Sequence, residues 1–135
     1  MIAEQNLELI VKRRSAENSI KKSDLAELKN LINPPETVRA VSEALCIVFN
    51  VSPTWNEAKK LINNLSLLDK LKTFDYESLT TEQLSKLKKY IDDPEFNAEH
   101  VKRSSNCMCQ ICDWIICIYK LAISNNEVIL IFLLI

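Results

Sequence analysis

The sequence contains no glycine in 135 residues. Loops that cradle phosphate groups need glycine where the backbone approaches the ligand closely, so this absence excludes the common nucleotide-binding motifs. Tight hairpin turns also depend on glycine or asparagine, which disfavours antiparallel sheet. Alternating hydrophobicity of any length, the usual sign of strands, is missing as well. The chain is therefore predicted to be all-α with short connections, and with proline, asparagine and aspartate at its corners.

The sequence has a small net charge and a single histidine. The formal net charge is -1, so nothing in the total indicates a nucleic-acid partner, and any basic surface must be local. A single histidine, His100, would have to serve every role in nucleophilic catalysis. Asp92 and Asp93 stand beside Pro94 and are typical of a turn. We therefore predict no active site, no cofactor and no nucleic-acid partner.

The chain is comparatively rich in cysteine, whose thiol can form disulfides or bind metals. There are five cysteines, and the first residues carry no apolar run of the signal-peptide kind, so reduced thiols inside the cell are expected. Cys109 and Cys112 could share a helix face, but a second pair of ligands and a turn between them are lacking. Buried or half-exposed free cysteines without a metal are the prediction. A small metal-binding helical protein is the alternative.

The apolar run at residues 128–135 does not indicate a membrane segment. Eight helical residues reach only about 12 Å, against roughly 30 Å for the hydrocarbon core of a bilayer. We expect no membrane partner.

Residues 1–32 are predicted to form one helix with a weak seam. Leu7 and Val11 share a three-then-four register with a later group of apolar residues, but polar residues occupy the middle of the series. One interpretation is a solvated amphipathic helix. The other is one strand of a coiled coil that tolerates more than one register. The later apolar group is Leu25, Leu28 and Ile32, and the polar middle is Arg14, Asn18 and Lys21.

Prolines and capping residues divide the rest of the chain. The residue before a proline is disfavoured in helices, so the first helix should end near Ile32. Asn33 is then predicted to cap a helix that runs to about Asn50, with Pro34 in its first turn. Later helices are predicted after Thr54, from Leu67 to near Thr73, after Thr80 and Asn97, and from about Ser104.

Taken in order, these segments resemble the stalk-to-tip junction and tip of dynein heavy chains. The resemblance covers about residues 28–122, and the segment 67–75 is similar especially to axonemal members. Its motifs are at residues 34–39, 43–46, 55–61, 67–75, 86–96, 101–105 and 112–114. The resemblance implies a bundle of about six short helices on an antiparallel coiled-coil stalk. Its parts would be a stalk strand (1–32), a tip (33–113) and the start of a returning strand (114–135), truncated and apolar after about Ala122.

The resemblance also implies a function. The tip would bind tubulin in microtubules, with affinity controlled by the register of the stalk, and the rest of the heavy chain would be the other partner. The family's ATPase belongs to a ring outside these residues, so the chain is not predicted to be an enzyme. Cytoplasm and cytoskeleton, including the cilium or flagellum, are the expected location. A helical adaptor that binds a partner helix through an apolar groove is the alternative.

Particular residues carry these expectations. Because the outer surface of tubulin is acidic, cations held by a rigid core are required. Matched to the family, the expected microtubule contacts are Arg39, Lys70, Lys72, Lys102 and Arg103, with Lys88 and Lys89 as possible additions. Asn33, Pro34 and Pro35 would form the hinge between stalk and tip. Trp55 and Trp114 are predicted to be core anchors.

Overall fold

The computed structural model describes residues 2–63 and 66–124. This part of the chain contains α-helices and one short 3-10 helix, Tyr76–Ser78, and no strand, so the all-α prediction is confirmed. The apolar run at 128–135 lies outside the described residues. The helices are α1 (Ile2–Ser19), α2 (Lys22–Lys29), α3 (Glu36–Val48), α4 (Trp55–Asn63), α5 (Leu67–Thr73), α6 (Thr81–Ile91), α7 (Ala98–Lys102) and α8 (Asn106–Ser124).

Helix α8 is the centre of the fold. It packs along α1 and also contacts α2, α3, α6 and α7. Near one end, Ser124 donates a hydrogen bond to Asn6 at 2.8 Å, and further along Arg13 lies against Trp114. The two helices therefore run antiparallel. By length and composition α8 could cross a membrane, but most of its residues are buried against the rest of the protein, as in the core helix of a globular domain.

The prediction of one helix over residues 1–32 is wrong. The helix is interrupted after Ser19, where Lys21 adopts an extended backbone (φ −103°, ψ 142°) and α2 begins. The predicted seam is wrong as well, since Leu7, Val11 and Ile32 are 61%, 59% and 85% exposed. Of the predicted apolar seam residues, those that are buried are Leu25 and Leu28.

The interruption has a physical reason in the sequence. The face of α1 that is turned inward carries Asn6, Leu9, Arg13 and Ala16, at intervals of three and four residues, and the buried Ile20 just after the helix continues the series. Continuing that series would bring Ser23 and Glu27 inward, and both are exposed. A new helix that starts at Lys22 instead buries the two leucines of α2.

The predicted cap of α3 is also wrong. The helix begins at Glu36, and its N-cap is Pro35 (φ −54°, ψ 154°) rather than Asn33. Pro34 precedes another proline, which disfavours a helical conformation at Pro34 itself. The chain thus bends at Asn33 and stays non-helical through Pro35, with Pro34 buried and Asn33 exposed.

The end of α3 shows how the fold manages without glycine. Asn50 takes the left-handed conformation, at φ 57°, that usually favours glycine after a helix. Its amide donates to the carbonyl of Ile47 at 3.1 Å, and the amide of Val51 donates to that of Cys46 at 2.9 Å. This pair of bonds is the Schellman motif.

Three predicted caps are confirmed. The Thr54 hydroxyl accepts from the amide of Glu57 at 3.2 Å, and the Asn97 side chain accepts from the amide of His100 at 2.8 Å. Thr80 forms a complete capping box with Gln83. Each cap satisfies amides that the first turn of a helix leaves without partners.

Gln83 also joins two helices, which leads to a prediction. Its Oε1 accepts from the amide of Thr80 at 3.0 Å, while its Nε2 donates to the carbonyls of Ile47 at 3.0 Å and Val48 at 3.2 Å. Replacing Gln83 with alanine removes the side-chain half of the box and both hydrogen bonds from Gln83 to the end of α3. We expect a loss of about 1–3 kcal/mol in the free energy of unfolding, measured by urea denaturation.

The control is Gln83→Glu, which keeps the acceptor for Thr80 but cannot donate to α3. Its stability should lie between those of the wild type and the alanine variant. An alanine variant with the midpoint and slope of the wild type would show that neither contact matters.

An aromatic cluster fills the space between α8 and the tip. Trp114 is fully buried, and its ring stacks with Phe49 at 6.2 Å between centroids and an interplanar angle of 4°. Phe74 meets both rings edge-on, at 5.6 Å from Trp114 and 5.5 Å from Phe49. Trp55 is half-buried at the edge of the core, and its Nε1 donates to the carbonyl of Leu31 at 3.0 Å.

Candidate basic interface

Three of the predicted contact cations lie around the start of α3. Lys102 and Arg103 are exposed and are followed by Ser104, which accepts a hydrogen bond from the Thr37 hydroxyl at 3.0 Å. Arg39 is exposed in the first turn of the same helix. By helical periodicity Arg39 and Thr37 point to different sides of α3. The cations therefore flank the first turn of α3 on two sides, a surface that we call the distal surface.

The distal surface lies far from the contact between Asn6 and Ser124, which marks the other end of the fold and is called the stalk end below. Lys102 and Arg103 immediately precede α8, whose other end at Ser124 is paired with Asn6. With 19 residues in α8, the two ends are about 28 Å apart. The distal surface lies over the core, because Val38 and Val41 of α3 are fully buried.

Carboxylates share this region. Glu36, Asp93 and Glu95 line a cleft of ≈ 180 Å³ beside α3 and α7, together with His100. The distal surface thus carries both signs of charge instead of forming a uniform basic patch. Such an arrangement favours a partner with a matching pattern of charges and sets orientation as well as attraction.

The other predicted cations are placed differently. Lys70 and Lys72 are exposed on α5, which packs against α1 and α4. Lys72 faces the stalk helix, because it lines with Ile10, Arg13 and Arg14 an open cavity of ≈ 370 Å³. The structure therefore groups Lys72 with α1, whereas Arg39, Lys102 and Arg103 lie around the start of α3.

Lys88 and Lys89 lie at the end of α6 and are engaged locally. Lys88 forms an ion pair with Asp92, and hydrogen bonding to this carboxylate raises the pKa of Lys88. Lys89 lies over the ring of Tyr90 at 5.0 Å from its centroid. The Tyr90 hydroxyl in turn donates to Glu43 Oε1 at 2.7 Å, and burial, followed by this bond, raises the pKa of Tyr90. Glu43 therefore ties α3 to α6.

Sequence reasoning missed Arg13. The predicted register placed Arg14 in the seam, whereas in the structure Arg14 is exposed and Arg13 lies on the inward face of α1. The spacing of Leu9, Ala16 and Ile20 could have predicted the inward position of Arg13, because Arg13 falls in the same three-and-four series.

The five cysteines are all buried and unpaired. Burial raises the pKa of the thiol of Cys46 to about 11 and those of Cys107 and Cys112 to about 12. Burial also raises the pKa of the thiols of Cys109 and Cys117. Over residues 2–63 and 66–124, no three His, Cys, Asp or Glu side chains converge as metal ligands.

These raised pKa values predict protected thiols. At pH 8 the folded chain should react with iodoacetamide at least about tenfold more slowly than the urea-unfolded chain, because the thiolate is the nucleophile. Mass spectrometry counts the alkylated cysteines over time. Rapid labelling of any of the five in the folded protein would contradict the described burial.

The same thiols predict a loss of stability in alkali. Their folded-state pKa values lie above the ordinary value, so the stabilisation that they contribute is complete below the ordinary pKa. It is lost as pH rises from about 9 through the folded-state values, and the thermal midpoint should fall over that range.

The fold and the distal surface define a helical tip carried at the end of an antiparallel helix pair. The chain matches the family described as "Microtubule-binding stalk of dynein motor" over residues 3–128, and it belongs to this family. It is 35% identical over 94 residues to dynein axonemal heavy chain 6 of Homo sapiens and 32% identical over 107 residues to the cytoplasmic dynein heavy chain of Caenorhabditis elegans.

These alignments cover 70% and 78% of this chain, and the chain spans 2% of the length of each relative. Among solved structures it is similar to the "Microtubule Binding Domain of DYNEIN-C", with a TM-score of 0.81 and 29% sequence identity. That match covers 94% of this chain and 90% of the other. Membership of the dynein stalk family inferred from the sequence is thus confirmed.

Proposed function

We propose that this chain binds microtubules through its distal surface, as the tip of a dynein stalk. The observation that carries the proposal is the likeness, over nearly the whole chain, to a solved domain that is named for microtubule binding. The position of Arg39, Lys102 and Arg103 supports it, because these cations lie at the end of α8 remote from the stalk end.

Within this proposal the cations have two roles. Arg39, Lys102 and Arg103 contact the acidic surface of tubulin directly. Lys70 and Lys72, beside the stalk helix, add to the positive field from the flank of the tip, and Lys89 adds to it from α6. Lys88 is paired with Asp92 and contributes less.

The stalk controls the affinity of the tip in this proposal. The non-helical segment through Pro34 and Pro35 separates α2 from α3, so a displacement of the stalk strand changes the orientation of α3. Since α3 carries Arg39 and adjoins Ser104, that reorientation alters the distal surface. The rest of a dynein heavy chain, with its ATPase ring, is the proposed partner of the stalk end.

A cytoskeletal location follows from the proposal. Axonemal heavy chains are among the similar proteins, as is a cytoplasmic one. We propose the axoneme of a cilium or flagellum as the particular site.

The test is co-sedimentation of the full chain with microtubules at low ionic strength. The proposal predicts a saturable fraction in the pellet, and the same chain should stay in the supernatant without microtubules. A folded, helical chain that remains in the supernatant at every microtubule concentration would overturn the proposal.

An apolar stripe on α1 favours the adaptor as a second candidate. Leu7, Ile10 and Val11 are 61%, 40% and 59% exposed on the outer side of the helix. Binding of a partner helix there would persist at high salt, which distinguishes it from the electrostatic contact.

A further inference from the structure

Arg13 joins the stalk helix to the tip. Its side chain is only 13% exposed, and its Nη2 donates to the carbonyls of Leu71 at 2.9 Å and Phe74 at 2.6 Å. Its Nε donates to Glu17 Oε1 at 2.9 Å. The guanidinium also lies 5.8 Å from the centroid of the Trp114 ring. One side chain of α1 therefore contacts α5, the following loop and α8.

The chemistry of these contacts suits arginine. The carbonyls of Leu71 and Phe74 lie at the C-terminal end of α5, where the negative end of the helix dipole attracts a cation. Glu17 is only 7% exposed and needs a paired positive charge. The planar guanidinium has donors for several acceptors at once, whereas a lysine ammonium is a single point charge.

These contacts fix the position of α1 along its axis. A shift of one residue moves a helix by about 1.5 Å, and a hydrogen bond weakens strongly beyond the usual 2.7–3.2 Å. The two carbonyls lie at the end of α5 and the Trp114 ring lies on α8, while Arg13 and Glu17 both lie on α1. Moving α1 by even one turn would separate Arg13 from the two carbonyls and from Trp114, while its pair with Glu17 would move with it.

We propose that Arg13 is a positioning residue that locks α1 at one axial position and thereby holds the distal surface in one state of microtubule affinity. Its effect on affinity rests on the proposed function, whereas its effect on the position of α1 does not. The two parts are therefore tested separately.

The contact between Asn6 and Ser124 depends on the axial position of α1 relative to α8, so it can be used to measure that position. Ser124 Oγ donates to Asn6 Oδ1 at 2.8 Å, so the two positions face each other across α1 and α8. A disulfide needs its two Cβ atoms close together, so cysteines at these positions would react with each other far more slowly after an axial shift of one turn. The full chain carrying Asn6→Cys and Ser124→Cys is oxidised under mild conditions, and mass spectrometry follows that disulfide. The variants compared are Arg13→Met, Arg13→Lys and Arg14→Met.

Arg14→Met is the matched control, because it removes the same charge from the neighbouring, exposed position. We expect Arg13→Met to form the disulfide at least threefold more slowly than the parent, and Arg14→Met to match the parent. Arg13→Lys should be slowed as well, since it keeps the charge and loses the paired donors. Circular dichroism checks that each variant is helical, and Arg13→Lys serves if Arg13→Met does not fold. Equal rates in the parent and in a folded Arg13 variant would overturn the proposal.

A second arm measures microtubule affinity before and after oxidation. In the reduced state Arg13→Met should differ from the parent by at least threefold in Kd. After the disulfide forms, the two should agree, because the covalent bond replaces the lock. A difference in Kd that persists after oxidation would overturn the positioning role, since Arg13 would then affect binding without fixing the position of α1. If the parent itself does not bind microtubules, the proposed function fails. The disulfide experiment still shows whether Arg13 fixes the axial position of α1.

Discussion

Replacing Trp114 with alanine should lower the free energy of unfolding by about 3–5 kcal/mol, the range for removing a large aromatic side chain from a core. Trp114 is fully buried and stacks with Phe49, and Phe74 packs against both rings. Since a domain of this size is stable by about 5–15 kcal/mol, the loss would leave the fold marginal. Thermal and urea unfolding followed by circular dichroism measure it.

The matched control is Trp114→Phe. It preserves an aromatic ring for Phe49 and Phe74, and it removes an indole Nε1 that has no hydrogen-bond partner among the described residues. We expect it to lose less than half as much stability as the alanine variant. An alanine variant within about 1 kcal/mol of the wild type would contradict the central place of Trp114 in the core.

Removing the three cations of the distal surface should weaken microtubule binding by roughly tenfold to hundredfold in Kd at low salt. Arg39, Lys102 and Arg103 are all exposed, so their replacement with alanine leaves the core unchanged. Each charge acts mainly on the rate of association and on orientation, so each single variant should have a smaller effect. Co-sedimentation with a microtubule titration gives the Kd of each variant.

A second triple variant distinguishes the effect of the distal surface on Kd from the effect of net charge. Lys12, Arg14 and Lys120 are exposed on α1 and α8, and their replacement with alanine removes three positive charges from the helix pair and none from the distal surface. Its Kd should stay within about threefold of the wild type, because charges much more than a Debye length of about 10 Å away are screened. Equal weakening by the two triple variants would show that the distal surface has no special role.

The caps and helix ends of the tip could be predicted because they depend on neighbouring residues. Thr54, Thr80 and Asn97 each accept from an amide within three residues, so the sequence alone contains both partners. The error at Asn33 has the same local character. Two prolines in succession keep the chain extended for one residue more than a single proline would.

The seam of α1 could not be predicted from one strand. Two series overlap in it, one through Leu7 and Val11 and one through Leu9, Ala16 and Ile20, and both have coiled-coil spacing. Only the partner helix decides which series is buried, and α8 selects the second. A break in the helix without glycine or proline follows from that choice and not from local propensity.

The candidate site was predictable in part for the same reason. Exposure of Arg39 follows from the periodicity of α3, because Val38 and Val41 mark the buried side. That Lys102 and Arg103 adjoin α3, and that Lys72 faces the stalk, depends on contacts between segments far apart in sequence. Arg13 was missed because an arginine within an apolar series reads as a solvated residue until its carbonyl partners are seen.

A salt series of microtubule co-sedimentation with the full chain tests the central claim most directly. If the distal surface binds tubulin through complementary charge, Kd should rise by at least about tenfold as ionic strength rises from low to above physiological values. The Arg39, Lys102 and Arg103 triple variant should then show a shallower dependence on salt. Binding that is unaffected by salt and equal in the wild type and the triple variant would contradict the account and favour an apolar contact through α1.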